Sequence, residues 1–225
     1  MEITNKFVAY CDILGFTNAT LNKFDETINV YNEFRTEISK YDFLNLNISV
    51  YSDSILIIGD RLIDVTQTVQ ILLWTTLKYN WIVKGGIGYG KHWKESDENN
   101  LYIVSEALAK AVNMEKSNPY PVVVISPEIE IDFNYWLVAI GNRIGSWSII
   151  HYHQMNIVNP VNNYWFNSAT ARLRLLQSEY PSHADKYQYL LTIIEDMQKG
   201  NLFISEPTLK SFVEMGIFKK MTYEL

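Results

Sequence analysis

The chain has 225 residues, 48% of them hydrophobic and 20% charged, with a formal net charge of −6. That length and balance suit one soluble globular domain with an appended subregion rather than two full domains. An acidic chain with no dominant Lys/Arg cluster lacks the electrostatic footprint of a protein that tracks a nucleic-acid backbone, though a nucleotide bound through metal ions is compatible with it. Fifteen tyrosines, ten phenylalanines and six tryptophans fit a well-packed interior and suit a subunit interface. The single Cys11 excludes an intramolecular disulfide and points to a reducing compartment. The chain opens on no signal-peptide pattern, and "VTQTVQILLWTTL" is too short and polar to span a bilayer, so the expected location is the cytoplasm.

In chain order, Lys6 to Cys11 reads as a first strand, apolar enough for the middle of a sheet, and Asp12 ends it. Gly15 permits a turn. From Asn18 to about Lys40, Leu21, Phe24, Ile28, Tyr31, Phe34 and Ile38 recur at helical spacing. "LNLNISVYSDSILIIG" reads as two strands joined by a tight turn at Ser52-Asp53-Ser54. A helix follows from about Ile63 to Tyr79, then a glycine-broken strand from Trp81 to His92. The order strand, helix, strand, strand, helix, strand predicts an α+β fold with a ferredoxin-like βαββαβ core. With the first strand running up and the second running up beside it, the end of the first strand and the hairpin turn share one edge of the sheet. Asp12 and Asp53 converge there.

Beyond the polar loop "KESDENN", "VSEALAKAVNMEKS" reads as a helix and "YPVVVIS" as a buried strand. "YWLVAI" and "SWSIIHYH" read as strands, and "ATARLRLLQSEY" and "ADKYQYLLTIIEDMQ" as helices. The division is a core over residues 1–127 and a C-terminal extension of the same domain over 128–225, suited to dimer contacts. No repeat, low-complexity tract or linker interrupts it.

Two aspartates at one edge repel each other unless a positive charge sits between them. Mg²⁺ or Mn²⁺ is the usual partner of carboxylate and carbonyl oxygens, and it leaves positions open to water or substrate phosphates. A pair of such ions suits phosphoryl transfer. The competing reading of Asp53 is ordinary turn chemistry. Asp12 is harder to assign to a structural role, because the next helical pattern starts too far on for it to be an N-cap.

"AYCDILGFTNAT" resembles the first metal motif of the class III nucleotidyl cyclases, an aspartate and an apolar residue followed by Gly-Phe-Thr. "VYSDSILII" is similar to their second, with Ser52 in place of the more usual glycine before Asp53. The resemblance covers about residues 5 to 126. It implies Asp12, Asp53 and the backbone carbonyl of Ile13 as ligands of two Mg²⁺ or Mn²⁺ ions. The adenylyl and guanylyl members carry an asparagine and an arginine in the helix after the glycine-rich strand. Here Ala109 and Asn113 stand nearest to those places. "KGGIGYG", "EALAKAVNMEKS" and "NPYPVVVIS" look instead like the Pycsar pyrimidine cyclases of bacterial antiphage defence, with Lys84 where those tend to have arginine.

That resemblance implies conversion of UTP or CTP, with UTP favoured, to the 3′,5′-cyclic monophosphate and pyrophosphate, the product acting on a separate effector protein. It implies a bacterial cytoplasmic, head-to-tail homodimer with its sites at the interface. The amides of Ile13, Leu14, Gly15, Phe16 and Thr17 would cradle phosphate at a helix N-terminus, and Lys84 and Lys110 would neutralise charge. Ser49 and Tyr51 share a strand face, where Tyr51 either narrows the base pocket or packs structurally. The alternatives are a catalytically silent nucleotide-binding module of the same fold and a purine cyclase. His151 and His153 are read as structural rather than zinc-binding. The glycines of "KGGIGYG" are read as bulges or close backbone approach, not a dinucleotide loop.

Overall fold

The structure, a computed structural model, describes residues 3–40, 46–98, 101–131, 148–161 and 165–199, together with 210 and 214. Among the described residues eight strands form one sheet: β1 (Thr4–Leu14), β2 (Leu46–Tyr51), β3 (Ser54–Gly59), β4 (Ile82–Ser96), β5 (Leu101–Ser105), β6 (Val123–Ile125), β7 (Ile149–Tyr152) and β8 (Met155–Val158). Their order is β2-β3-β1-β4-β6-β8-β7, with β5 paired to β4. Each neighbouring pair among β2, β3, β1 and β4 is antiparallel, and β6 joins β4 in parallel. This is the α+β, ferredoxin-like arrangement expected of the core. The second strand was expected beside the first, but β3 lies between them. "SILIIG" is apolar on both faces and buried along most of its length, which suits a central strand, whereas β2 carries polar residues and lies at the edge.

The strand period divides the core. Ala9, Cys11 and Ile13 of β1 point to one face, where they pack with Phe34, Val65, Val69 and Leu72 from helices α2 (Phe24–Ile38) and α3 (Leu62–Lys78). Val8, Leu56 and Ile58 point to the other, beneath Ala107 of α4 (Glu106–Ser117). Ser105 starts α4 as its N-cap, accepting a hydrogen bond from the Leu108 amide at 3.1 Å. Beside these, Ile82, Val124, Ile150 and Ile157 form a further cluster with α5 (Phe166–Glu179) and α6 (Ala184–Gln198).

The glycines of "KGGIGYG" answer to close approach. A Cβ on Gly86 would lie 2.3 Å from the Ala111 carbonyl oxygen, and one on Gly88 2.3 Å from that of Ala107. Without side chains there, α4 lies directly on β4.

The helix expected from residue 18 to 40 is instead two. α1 (Phe16–Asn22) and α2 are separated at Lys23, whose φ of −145° and ψ of 51° leave the helical region. The break turns the apolar series outward at its start: Leu21 is 80% and Phe24 60% exposed, while Thr27, Val30 and Phe34 face the core. The helix expected from Val104 starts instead at Glu106, because Val104 and Ser105 belong to β5, opposite Trp93 and His92 of β4; β8, four residues long, leaves no strand signal in the sequence. "YWLVAI" lies outside the described residues, and of "SWSIIHYH" the strand is Ile149–Tyr152. His153 is not on that strand. It and Gln154 form the β7–β8 turn, with φ of 46° and 63°, and His151 Nδ1 lies 2.9 Å from Asn156 Oδ1.

Candidate active site

Asp12 does not end its strand. The ladder continues to Leu14, because Ile13 and Leu14 pair with Val83 and Ile82 of β4, and Ile13 is fully buried in the core. Asp12 therefore stands inside the sheet, opposite Ser54 of β3 on one side and Lys84 of β4 on the other. The β2–β3 connection is two residues, Ser52 and Asp53. The Ile13 amide donates to the Asp53 carbonyl at 3.0 Å, which ties the turn to the end of β1. Asp12 and Asp53 thus meet at one end of the sheet.

Electrostatics mark the same place. Burial pushes the Asp12 carboxyl above its ordinary value; the charges of Asp53 and Glu115 push it further, and Lys84 opposes them. Glu115, near the end of α4, pairs with Lys84 at 2.9 Å, both side chains largely covered. Tyr31 of α2 donates its hydroxyl to the Ser52 carbonyl. On the Asp12 face of the sheet, the Tyr10 hydroxyl lies 2.9 Å from Ser54 Oγ. Sequence reading had missed Tyr10, Tyr31, Ser54 and Glu115. Only the two-residue period of β1 carried a signal for any of them, by setting Tyr10 on the face of Asp12.

The other expected residues divide. Ser49 and Tyr51 oppose Leu56 and Ser54, so both face the side on which Asp12 lies, and Tyr51 is 54% exposed. Asp53 is in the turn, where that alternation no longer applies. Gly15 has φ 83° and precedes α1; Phe16 is buried in the core and Thr17 is exposed. The Ile13 amide is already bonded to Asp53, and α1 is only seven residues long. Lys110 is not brought to the pair. It is held by Glu106 at 2.9 Å, Glu128 at 2.8 Å and the Tyr89 carbonyl at 3.3 Å. Tyr89 is five residues along β4 from Lys84, a rise of about 16 Å. A cavity of about 590 Å³ lies elsewhere, lined by Trp74, Lys78, Trp165 and Arg172 among others.

Among the described residues no group of three or more His, Cys, Asp or Glu side chains is placed to hold a metal ion. A pair of carboxylates, one of them raised by burial and then by the charge of the other, beside a lysine that is itself engaged, nevertheless leaves negative charge that a cation would neutralise. Mg²⁺ is commonly held by one or two carboxylates, with waters and substrate phosphates completing the shell. Asp12 and Asp53 fit that donor set.

The chain is similar to solved structures of nucleotide cyclases. A bacterial light-regulated adenylyl cyclase shares 14% identity over 78% of this chain and all of its own, with a TM-score of 0.45. The adenylyl cyclase CyaB from P. aeruginosa shares 15% over 70% of this chain and 94% of its own, at 0.44. An adenylate cyclase from Trypanosoma brucei in its monomeric state shares 12% over 71% and 91%, at 0.48. No protein-family model and no curated protein matches the chain. Among the described residues no helix is long and apolar enough to cross a membrane.

Proposed function

We propose that the chain is a metal-dependent nucleotide cyclase of the class III kind, acting on a pyrimidine nucleoside triphosphate, UTP before CTP. The observation that carries this reading is the meeting of Asp12 and Asp53 at one end of a βαββαβ sheet. Asp12 and Asp53 would hold the divalent ions, which supply charge to lower the pKa of the ribose hydroxyl and to neutralise the triphosphate. The ribose 3′-oxygen attacks the α-phosphorus and its proton passes to solvent. The bond from that phosphorus to the bridging oxygen breaks, and pyrophosphate leaves. Lys84 lies across the ladder from Asp12 and would share the phosphate charge once released from Glu115. Ser49 and Tyr51, on the same face as Asp12, would contact the base. A head-to-tail homodimer, and a cyclic product read by a separate effector in bacterial antiphage defence, complete the proposal.

A silent nucleotide-binding module is the second reading. It is favoured by α4, where Lys110 is held away from the pair and no asparagine and arginine occupy the expected places. Incubating purified protein with each of the four NTPs and Mn²⁺, with mass spectrometry of the products, separates the two. Cyclic UMP or CMP with pyrophosphate supports the enzyme. Folded protein that binds an NTP and releases no cyclic product from any of the four refutes it. Cyclic AMP or GMP alone would refute the pyrimidine assignment.

A further inference from the structure

We propose that Tyr31 is the positioning residue of the carboxylate pair: its hydroxyl, donated from α2 to the Ser52 carbonyl, holds the turn that carries Asp53 against the end of β1. Its functional consequence rests on the metal-site reading of Asp12 and Asp53; its geometry does not. The turn is two residues long, and Ser52 takes φ 57°, a left-handed conformation that side-chain-bearing residues avoid. Such a turn keeps its shape only where neighbours determine it. Here the two carbonyls are fixed from two directions. Tyr31 donates to that of Ser52, and the Ile13 amide to that of Asp53 at 3.0 Å.

The clamp is itself braced. The Tyr31 ring lies 5.9 Å from that of Phe16, which lies 5.9 Å edge-on from Trp81. Phe16 opens α1 and Trp81 immediately precedes β4, so the aromatic series links the segments after β1 and before β4 to the Asp53 turn. Packing alone would need only the ring. A phenylalanine fills the same space against Phe16 but leaves the Ser52 carbonyl without this donor.

The test is Tyr31→Phe, read by amide hydrogen exchange across β1, β2 and β3 and by calorimetric titration with Mn²⁺ alone. One hydrogen bond is worth roughly two- to twelvefold in a local equilibrium. Exchange at Ile13, Asp53 and Ser54 should rise by that factor, the Mn²⁺ Kd should weaken by a similar one, and the melting temperature should stay near wild type. Tyr31→Leu, which also removes the ring, should accelerate exchange in α1 and α2 as well. Faster turn exchange with no Mn²⁺ binding by the wild type supports the clamp and overturns the metal reading. Unchanged turn exchange in Tyr31→Phe overturns the clamp whatever the metal does.

Discussion

Gly86→Ala places one methyl group between β4 and α4. Its Cβ would lie 2.3 Å from the Ala111 carbonyl oxygen and 2.6 Å from Met114 Cβ. Ordinary contact is at roughly 3.5 Å, so α4 must retreat by about 1 Å. Neither obstacle can escape by changing rotamer, because one is backbone and the other is the first side-chain atom. Overpacking of this kind costs about 1–3 kcal/mol. For a chain of this size that lowers the melting temperature by roughly 2–12 °C. The retreat also carries away Glu115, whose amide nitrogen lies 3.1 Å from the same Cβ position, and so loosens its 2.9 Å pair with Lys84. Thermal unfolding followed by circular dichroism measures the effect, with Leu21→Ala as a control at a side chain that is 80% exposed. A Gly86→Ala protein melting within about 1 °C of wild type would refute the close packing of α4 on β4.

Asp12 has a folded-state pKa above its ordinary value, so its contribution to stability is fully present below the unfolded pKa and is lost as pH rises through the folded one. Asp12→Asn should therefore melt higher than wild type in metal-free buffer at neutral pH, with the difference shrinking as the pH is lowered through the carboxylate range. Added Mn²⁺ should stabilise the wild type and not the variant; a variant that melts lower at neutral pH contradicts the destabilisation of the Asp12 carboxylate by burial and by Asp53. The Cys11 thiol is fully buried and pushed up to about 12, first by burial and then by Asp12. A thiol reagent at mildly alkaline pH should leave native protein unlabelled and label it once per chain in guanidinium, and rapid native labelling would place Cys11 at the surface instead.

Much of the core was legible because its strands follow simple patterns. "FVAYC" and "SILIIG" are apolar enough to be central, and the two-residue connection at Ser52 and Asp53 leaves a hairpin as the natural outcome. Those features bring Asp12 and Asp53 together without knowledge of any side-chain contact. The rest depended on tertiary choices that leave weak local traces. The break at Lys23 comes inside an otherwise regular apolar series, and Tyr31 counted there as one more apolar position although its hydroxyl reaches another element. Glu115 sits near the end of a helix with no spacing of its own that points to the site. Its place beside Lys84 follows from how deeply α4 sits on two glycines, a distance that no spacing in the sequence encodes. Lys110, on the same helix, failed for the complementary reason: its position along α4 matches a stretch of β4 remote from Asp12.

The residues around Asp12 come from β1, the β2–β3 turn, β4 and α4, spread from residue 12 to residue 115. No local segment contains two of the interacting partners. The carboxylates acquire their mutual repulsion only after the hairpin and β4 have both closed on β1, and Lys84 gains Glu115 only once α4 has docked. Contacts of such long sequence separation form late and slowly. A chain emerging from the ribosome therefore lacks the complete charged centre until α4 is synthesised, because Lys84 has no Glu115 to pair with before then. The site is a product of completed topology, so its appearance in refolding should coincide with the last cooperative step of the core.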